Sequence, residues 1–457
     1  MQRTNLTSEN PVMENPFPEA APDDLPSPGA AANRKVNDIE YLTSEEVLQV
    51  LGIKKASLYT YVSRGMVRTI KRPGQKKSNL YLKSDVDRLR SRFSNRDGVP
   101  VVSHSLRYGE PVVQSWICEI SAAGPRYRGY LASDLVRDER SFEFVAELVW
   151  SGLPRLRDSP WPCVASPAVW LAHEQMSEQN NRSVLSLLAR TALGMTSLEL
   201  QSAETAHLDA RSAGIRLIQA FTGTVGWLGP DKAYAPQQGE EYTAQVLMRG
   251  LGLPAAPADP SCLTLMNAAL VLSADHELSA PTFVARICAS TGADLHACVI
   301  AALMAQSGPM QLGGMTDLEF LLQADAARFA GHTTPGHSAL LSMKDIPCFG
   351  HPLYDRDPRA DVLLELTRAC ALLTNEGRAL LETVDRLGQN SGRHPNLFAA
   401  LVIMARALGL PAGTAALINT VGRTAGWVAH AVEQRLAGAM LRPRAQYMGK
   451  QHPRAGF

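Results

Sequence analysis

Four short phrases hold the residue types from which a site for a small anion with several oxygens can be built. Ser273-Ala274-Asp275-His276-Glu277 sets a histidine between two acids after an apolar run. Phe349-Gly350-His351-Pro352-Leu353-Tyr354, followed by Asp357-Pro358-Arg359, sets a second histidine and an arginine in a glycine- and proline-rich loop. Arg423 stands in Gly422-Arg423-Thr424-Ala425-Gly426-Trp427, and Arg442 in Leu441-Arg442-Pro443-Arg444. A guanidinium is a planar fork that meets a carboxylate with two parallel hydrogen bonds, and an imidazole can donate to a keto oxygen. Singly, each phrase has an ordinary explanation, since a histidine beside an aspartate on a helix is more often a satisfied structural residue and lone arginines are usually solvated.

A second chemistry lies nearer the N-terminus. Residues 33–96 hold 15 Lys/Arg against 6 Asp/Glu, a net of +9, whereas residues 1–32 carry −4 and residues 97–457 carry −4 within a chain total of +1. Thr43 with Glu46 forms a capping box that opens a helix through Leu51, and Gly52 ends it. A second helix over 55–64 can bury Leu58 and Val62 while offering Lys55, Ser57, Tyr59, Thr60, Ser63 and Arg64 to a groove. Lys71-Arg72-Pro73-Gly74-Gln75-Lys76-Lys77 is a basic turn between apolar segments, expected to set Lys71, Arg72, Lys76 and Lys77 over phosphates, and a supporting helix follows over 84–92. Segment 41–90 resembles the winged helix-turn-helix of the MerR and excisionase families, with Leu58-Tyr59-Thr60-Tyr61-Val62-Ser63-Arg64-Gly65 its most telling phrase. That resemblance implies binding to duplex DNA. The plainer alternative is a small solvated helical domain for dimer contacts or for docking another protein.

The elements that position these residues are expected to be mainly α-helical. Hydrophobic residues make up 45% of the chain and aromatics 6%, with charged residues at 19%, which favours packed helices over sheets. At 457 residues the chain exceeds one ordinary core. Residues 1–34, rich in proline and poor in large apolar groups, are expected to be a disordered tail, 35–95 the DNA-binding domain, 96–104 a linker, and 105–457 a large helical domain. Seven scattered cysteines without a Cys-x-x-Cys pair read as reduced core residues and give no metal site. With no signal pattern and with apolar runs broken by charge, the expectation is a soluble cytoplasmic protein away from membranes.

From about Glu119 to the C-terminus the chain resembles citrate synthase. The resemblance is carried by Arg126-Tyr127-Arg128-Gly129-Tyr130, the segment 274–294, the His351 loop and Trp427-Val428-Ala429-His430-Ala431-Val432-Glu433-Gln434. It implies an almost wholly helical two-domain subunit, with a smaller domain at roughly 322–425, in a homodimer that closes over an oxo-acid and an acyl-coenzyme A co-substrate, with no tightly bound cofactor. It further implies that His276 and His351 contact oxaloacetate and that Arg359, Arg423 and Arg442 hold its carboxylates, Arg442 reaching across from the partner subunit. Arg359 follows His351 by eight residues where the family has nine, so Arg356 competes for its role. Replacing Arg423 is expected to remove a fork and not a core group.

The condensing half departs from the family. Where the family has Gly-Pro-x-His-Gly-Gly, this chain reads Gly308-Pro309-Met310-Gln311-Leu312-Gly313-Gly314, with Gln311 in place of the catalytic histidine and Leu312 as an insertion. Where the family has Pro-Asn-Val-Asp-Phe, the chain reads Pro395-Asn396-Leu397-Phe398, with Phe398 in place of the general base. The Gln311 amide can still donate to an enolate oxygen. A phenyl ring cannot replace a proton acceptor worth roughly 10² to 10⁴-fold. From Leu387 through Ala431 the ionisable side chains are Arg and His alone, which leaves His394 as the nearest substitute. Three readings follow: a di- or tricarboxylate-responsive DNA-binding regulator, an active acyl-coenzyme A condensing enzyme with relocated chemistry, or a dimeric scaffold.

Overall fold

The computed structural model describes residues 34–36, 39–51, 69–71, 79–83, 113–154, 158–164, 184–199, 210–254, 260–328 and 346–443, together with positions 53, 55, 58, 59, 62, 67 and 86. They fall in two compact units, Met1–Val112 and Val113–Phe457.

In the first unit, Thr43 donates its N–H to Glu46 Oε2 at 2.7 Å while Glu46 donates its own to Thr43 Oγ1 at 3.4 Å. This reciprocal cap starts α1 (Ser44–Leu51), which buries Val47 and Leu51. Lys55, Leu58, Tyr59 and Val62 are helical; Leu58 is 1% exposed and Tyr59 56%, as one face in and one face out requires. β3 (Thr69–Lys71) and β4 (Asn79–Leu82) make the expected hairpin, with Lys71 opposite Asn79. β1 (Arg34–Val36) and β2 (Ile39–Thr43) were not expected; they extend the hairpin to an antiparallel sheet of order β1-β2-β4-β3. Arg34, assigned from sequence to the tail, therefore opens a strand. Leu42, Val47, Leu51, Leu58, Tyr81 and Val86 share one small core. The rest of the tail, the expected linker 96–104, and the DNA-facing candidates Ser57, Thr60, Arg64, Arg72, Lys76 and Lys77 lie outside the described residues.

The second unit opens with an antiparallel meander, β5 (Cys118–Ser121), β6 (Gly124–Tyr127) and β7 (Tyr130–Leu131), which amends the expectation of an all-helical domain. Arg128 and Gly129, both at positive φ, form the two-residue turn between β6 and β7. Helices follow: α2 (Ala132–Arg137), α3 (Phe142–Ser151), α4 (Val184–Glu199), α5 (Ala210–Gly223), α6 (Thr243–Gly250), α7 (Ser261–Ser273), α8 (Ala280–Ser290), α9 (Leu295–Gln306) and α10 (Gly314–Arg328). The last four are α11 (Pro358–Ala369), α12 (Asn375–Ser391), α13 (Leu397–Ala407) and α14 (Thr414–Ala437). α14 is buried around nearly its whole circumference and packs against α3, α5, α7, α8, α9 and α13. Gly422 and Gly426, one turn apart, permit the closest of these approaches. A Cβ at Gly422 would lie 2.7 Å from Leu270 O, and one at Gly426 would lie 2.3 Å from Asp275 Oδ1. The crossing sets Arg423, between the two glycines, against the end of α7. No helix of the described residues is long and apolar enough to cross a membrane.

Candidate functional site

The site is built where α7 ends. Ser273 closes that helix, and the turn after it is fixed from two sides: Asp275 Oδ2 accepts the Glu277 N–H at 3.1 Å, and the buried Tyr127 hydroxyl lies within 3.1 to 3.3 Å of the carbonyls of Val271, Leu272 and Asp275. Glu277 takes a positive φ of 54° here. The consequence is that His276 is turned toward the 349–359 loop, where its Nε2 lies 3.1 Å from the Tyr354 hydroxyl and its ring 5.2 Å from that of His351.

The His351 loop is clamped to the segment before α13. Gly350 donates to His394 O at 2.8 Å, Asn396 donates to Cys348 O at 3.0 Å, and the Asn396 amide reaches Gly350 O at 3.1 Å. Asn396 also caps α13 by accepting from the N–H groups of Phe398 and Ala399. Asp357 caps α11 and fixes the loop's other end. It accepts from Arg359 N–H, from Arg359 Nε at 3.0 Å and Nη2 at 2.8 Å, and from Leu397 N–H at 3.0 Å. Arg359 is thus inside the cluster, 5.9 Å from the Tyr354 ring, with two of its five N–H groups taken by Asp357. Arg356 faces outward and pairs with Asp361 at 2.8 Å, half exposed.

Arg423 arrives from α14, donating Nε–H to Ser273 O at 2.8 Å; among the described residues its two terminal nitrogens make no hydrogen bond. It is only 6% exposed, which corrects the expectation that it is not a core group. Arg442 lies beyond the end of α14, exposed, and meets none of these side chains among the described residues.

Electrostatics keep both imidazoles neutral. Burial, reinforced by Arg359 and Arg423, holds His276 well below the ordinary histidine value, and burial with Arg359 lowers His351 to about 4. His351 Nδ1 accepts the Leu353 N–H at 3.0 Å, so the proton of the neutral ring sits on Nε2. Burial alone would raise Asp357, but Arg359 holds its carboxyl below the usual range. Asp357 is fully engaged by Arg359 and Leu397 and offers no free oxygen lone pair as a proton acceptor. Among the described residues no group of three His, Cys, Asp or Glu side chains is placed to hold a metal ion.

The positions of the departures are equally defined. Residues Pro309–Gly313 form a π turn in which Gly313 donates to Gly308 O, five residues back, at 3.2 Å. A π turn accommodates one extra residue in a helical turn, and Leu312, expected from sequence to be an insertion, plugs into the core at 2% exposure. Gln311 leaves helical geometry at φ −125°, ψ −120°, and no described contact joins it to His276 or His351. Gly314 nevertheless brings this turn against Cys348, three residues before His351. Phe398 is half buried in the first turn of α13, packed on the main core. The His394 ring lies over Gly388 of α12, whose Cβ position would be 2.9 Å from Nδ1.

Residues 107–444 match the family described as citrate synthase, C-terminal domain. The chain belongs to the citrate synthase family. It is 27% identical over 345 residues to citrate synthase 2 of Bacillus subtilis, covering 71% of this chain and 90% of that protein. It is 29% identical to the 2-methylcitrate synthase of Shewanella oneidensis, covering 72% and 90%. The fold matches the Thermoplasma acidophilum citrate synthase solved as a ternary complex with carboxymethyl coenzyme A and oxaloacetate, with a TM-score of 0.61 at 19% identity, covering 76% of this chain and 96% of that one.

Three positioning residues went unread in the sequence. Tyr354 stands three residues after His351 on the same loop, and nothing in the sequence marks its hydroxyl as the partner of His276. Asp357, directly before Pro358, carries the signature of a helix cap and could have been found on that ground. Tyr127 has no local signal, because its partners lie more than 140 residues away.

Proposed function

We propose that the chain is a di- or tricarboxylate-responsive DNA-binding regulator built on a citrate synthase-type domain that has lost its condensing chemistry. One observation supports the reading: His276, His351 and Arg359 gather around the Tyr354 ring with the buried Arg423 beside Ser273, while Phe398 stands where the resemblance puts the general base. In this reading His276 and His351 donate to a keto oxygen, and Arg359, Arg423 and the partner subunit's Arg442 take the carboxylates of an oxaloacetate-like ligand within a homodimer. Residues 35–95 are a winged helix-turn-helix whose second helix (Lys55, Ser57, Tyr59, Thr60, Arg64) reads bases and whose wing (Lys71, Arg72, Lys76, Lys77) lies on phosphates. The capped α1, the buried Leu58 beside exposed Tyr59, the hairpin and the +9 charge support that half.

The names of the relatives favour a second reading, an active enzyme condensing acyl-coenzyme A with an oxo-acid. Calorimetry with oxaloacetate beside a thiol-release assay with acetyl-coenzyme A and oxaloacetate separates the two. The regulator reading expects binding heat with negligible turnover. Turnover at an ordinary enzyme rate, on the order of 10 per second, establishes the second reading instead.

A further inference from the structure

We infer that a buried line of side chains, Arg423, Asp275, His430, Arg286 and Glu433, carries the occupancy of the carboxylate site to Gln114–Ile117, the stretch by which residues 113–457 continue from the N-terminal unit. The inference rests on the proposed reading of the site and supplies its regulation.

Asp275 and His430 are fully buried and Arg286 is 1% exposed, so each depends on its neighbours for its hydrogen bonds. Asp275 Oδ2 lies 3.3 Å from His430 Nε2, while Asp275 Oδ1 has no hydrogen bond among the described residues. His430 Nδ1 faces Arg286 Nη1 at 3.2 Å. A guanidinium only donates, so Nδ1 accepts and the imidazole proton sits on Nε2, pointing at Asp275. The same Nη1 also donates to Glu433 Oε2, Nε donates to Gln434 Oε1 at 3.1 Å, and Nη2 reaches Gln114 O at 3.4 Å. Glu433 Oε1 in turn accepts the Trp116 N–H at 2.8 Å.

The Trp116 ring is 82% exposed, so polar contacts to Glu433, Arg286 and Arg128 hold this backbone, and apolar burial resumes only at Ile117. At the other end, Arg423 is the shared element: its Nε donates to Ser273 O, two residues before Asp275. The same stretch of α14 holds the turn, with Gly426 N–H donating to Ala274 O and Gly426 packed against Asp275 Oδ1. A dianion that takes the terminal nitrogens of Arg423 pulls the guanidinium against Ser273 O, and the turn that carries Asp275 shifts with it. The Asp275–His430 contact then changes, His430 changes its hold on Arg286, and the Arg286 contacts that pin Gln114 and Trp116 are redistributed. A ligand acts on a distant segment only through such a difference in interaction between two arrangements.

The test is hydrogen exchange of the full-length protein over residues 113–117, with and without saturating oxaloacetate, alongside calorimetry on the same samples. The expected result is a change in exchange rate on the order of fivefold or more, the lower end of ordinary coupling between two sites. In Glu433→Gln the binding heat persists and the exchange response disappears; Arg286→Lys serves as the second variant. Oxaloacetate heat without any exchange response in the unmodified protein overturns the inference, as does a full response in both variants. Absence of heat in the unmodified protein removes the proposed ligand site itself, and the inference falls with it by a separate readout.

Discussion

Arg423 uses its two ends differently: Nε ties it to the last carbonyl of α7, while the terminal nitrogens make no hydrogen bond among the described residues. Lysine keeps the charge that offsets Asp275 but loses the planar fork, so Arg423→Lys is expected to stay folded and bind oxaloacetate at least about tenfold more weakly. Arg423→Ala also strands the buried Asp275 charge, and thermal or urea unfolding should show a loss of about 3 kcal/mol. Unchanged affinity in the lysine variant would show that Arg423 is purely structural. His351 gives a pH-dependent expectation. Its value falls from 6.5 to about 4 on folding, so between those limits the unfolded chain binds more protons and stability drops as pH falls. Discounted for its partial exposure, the loss is about 1 to 2 kcal/mol across that interval, and His351→Gln should flatten the decline in a series of melting curves. His276, His351, Arg359 and Arg423 stood out in sequence because each sits in a compact phrase, and the first three meet around Tyr354 in the structure. The engagement of Arg359 by Asp357, and the burial of Arg423, depend on chain crossings that no local phrase records.

At the scale of elements, the capping box of α1 and the hairpin wing were legible because their partners lie within a few residues. The strands β1, β2 and β5 to β7 were not, since two to five residues are too few to show an alternation. The π turn was half legible: the sequence marked Leu312 as an insertion, and the structure adds that its side chain is buried while Gln311 is displaced from helical geometry. The resemblance puts the general base at position 398, in the first turn of α13, and that turn suits a carboxylate. An aspartate at 398 sits at a helix N-terminus, where a carboxylate is favoured by about 0.3 to 1 kcal/mol, partly offsetting the lost ring packing. Phe398→Asp with Gln311→His should therefore raise thiol release from acetyl-coenzyme A by roughly 10² to 10⁴-fold. A flat rate in a folded double variant would mean that the π turn, and not the residue types, abolishes condensation. In the N-terminal unit, Lys76→Ala with Lys77→Ala should weaken binding to all duplexes and flatten its salt dependence, whereas Arg64→Ala should change the preferred sequence in a selection from random duplex.

For the whole molecule, the citrate synthase family supplies the helical body, and the proposed reading adds a dicarboxylate site in it and a phosphate-facing surface on the basic N-terminal unit. Two such units on one two-fold scaffold would match two half-sites of an inverted repeat, so the full-length protein should bind that repeat far more tightly than residues 35–95 bind a single half-site. The central claim is that the pocket governs the DNA contact. Its most direct test is the affinity of the full-length protein for its selected inverted repeat at fixed salt, measured with and without saturating oxaloacetate. The account predicts a change on the order of fivefold or more that Arg423→Lys abolishes. An affinity unmoved by oxaloacetate, under conditions where calorimetry records its binding, would contradict it.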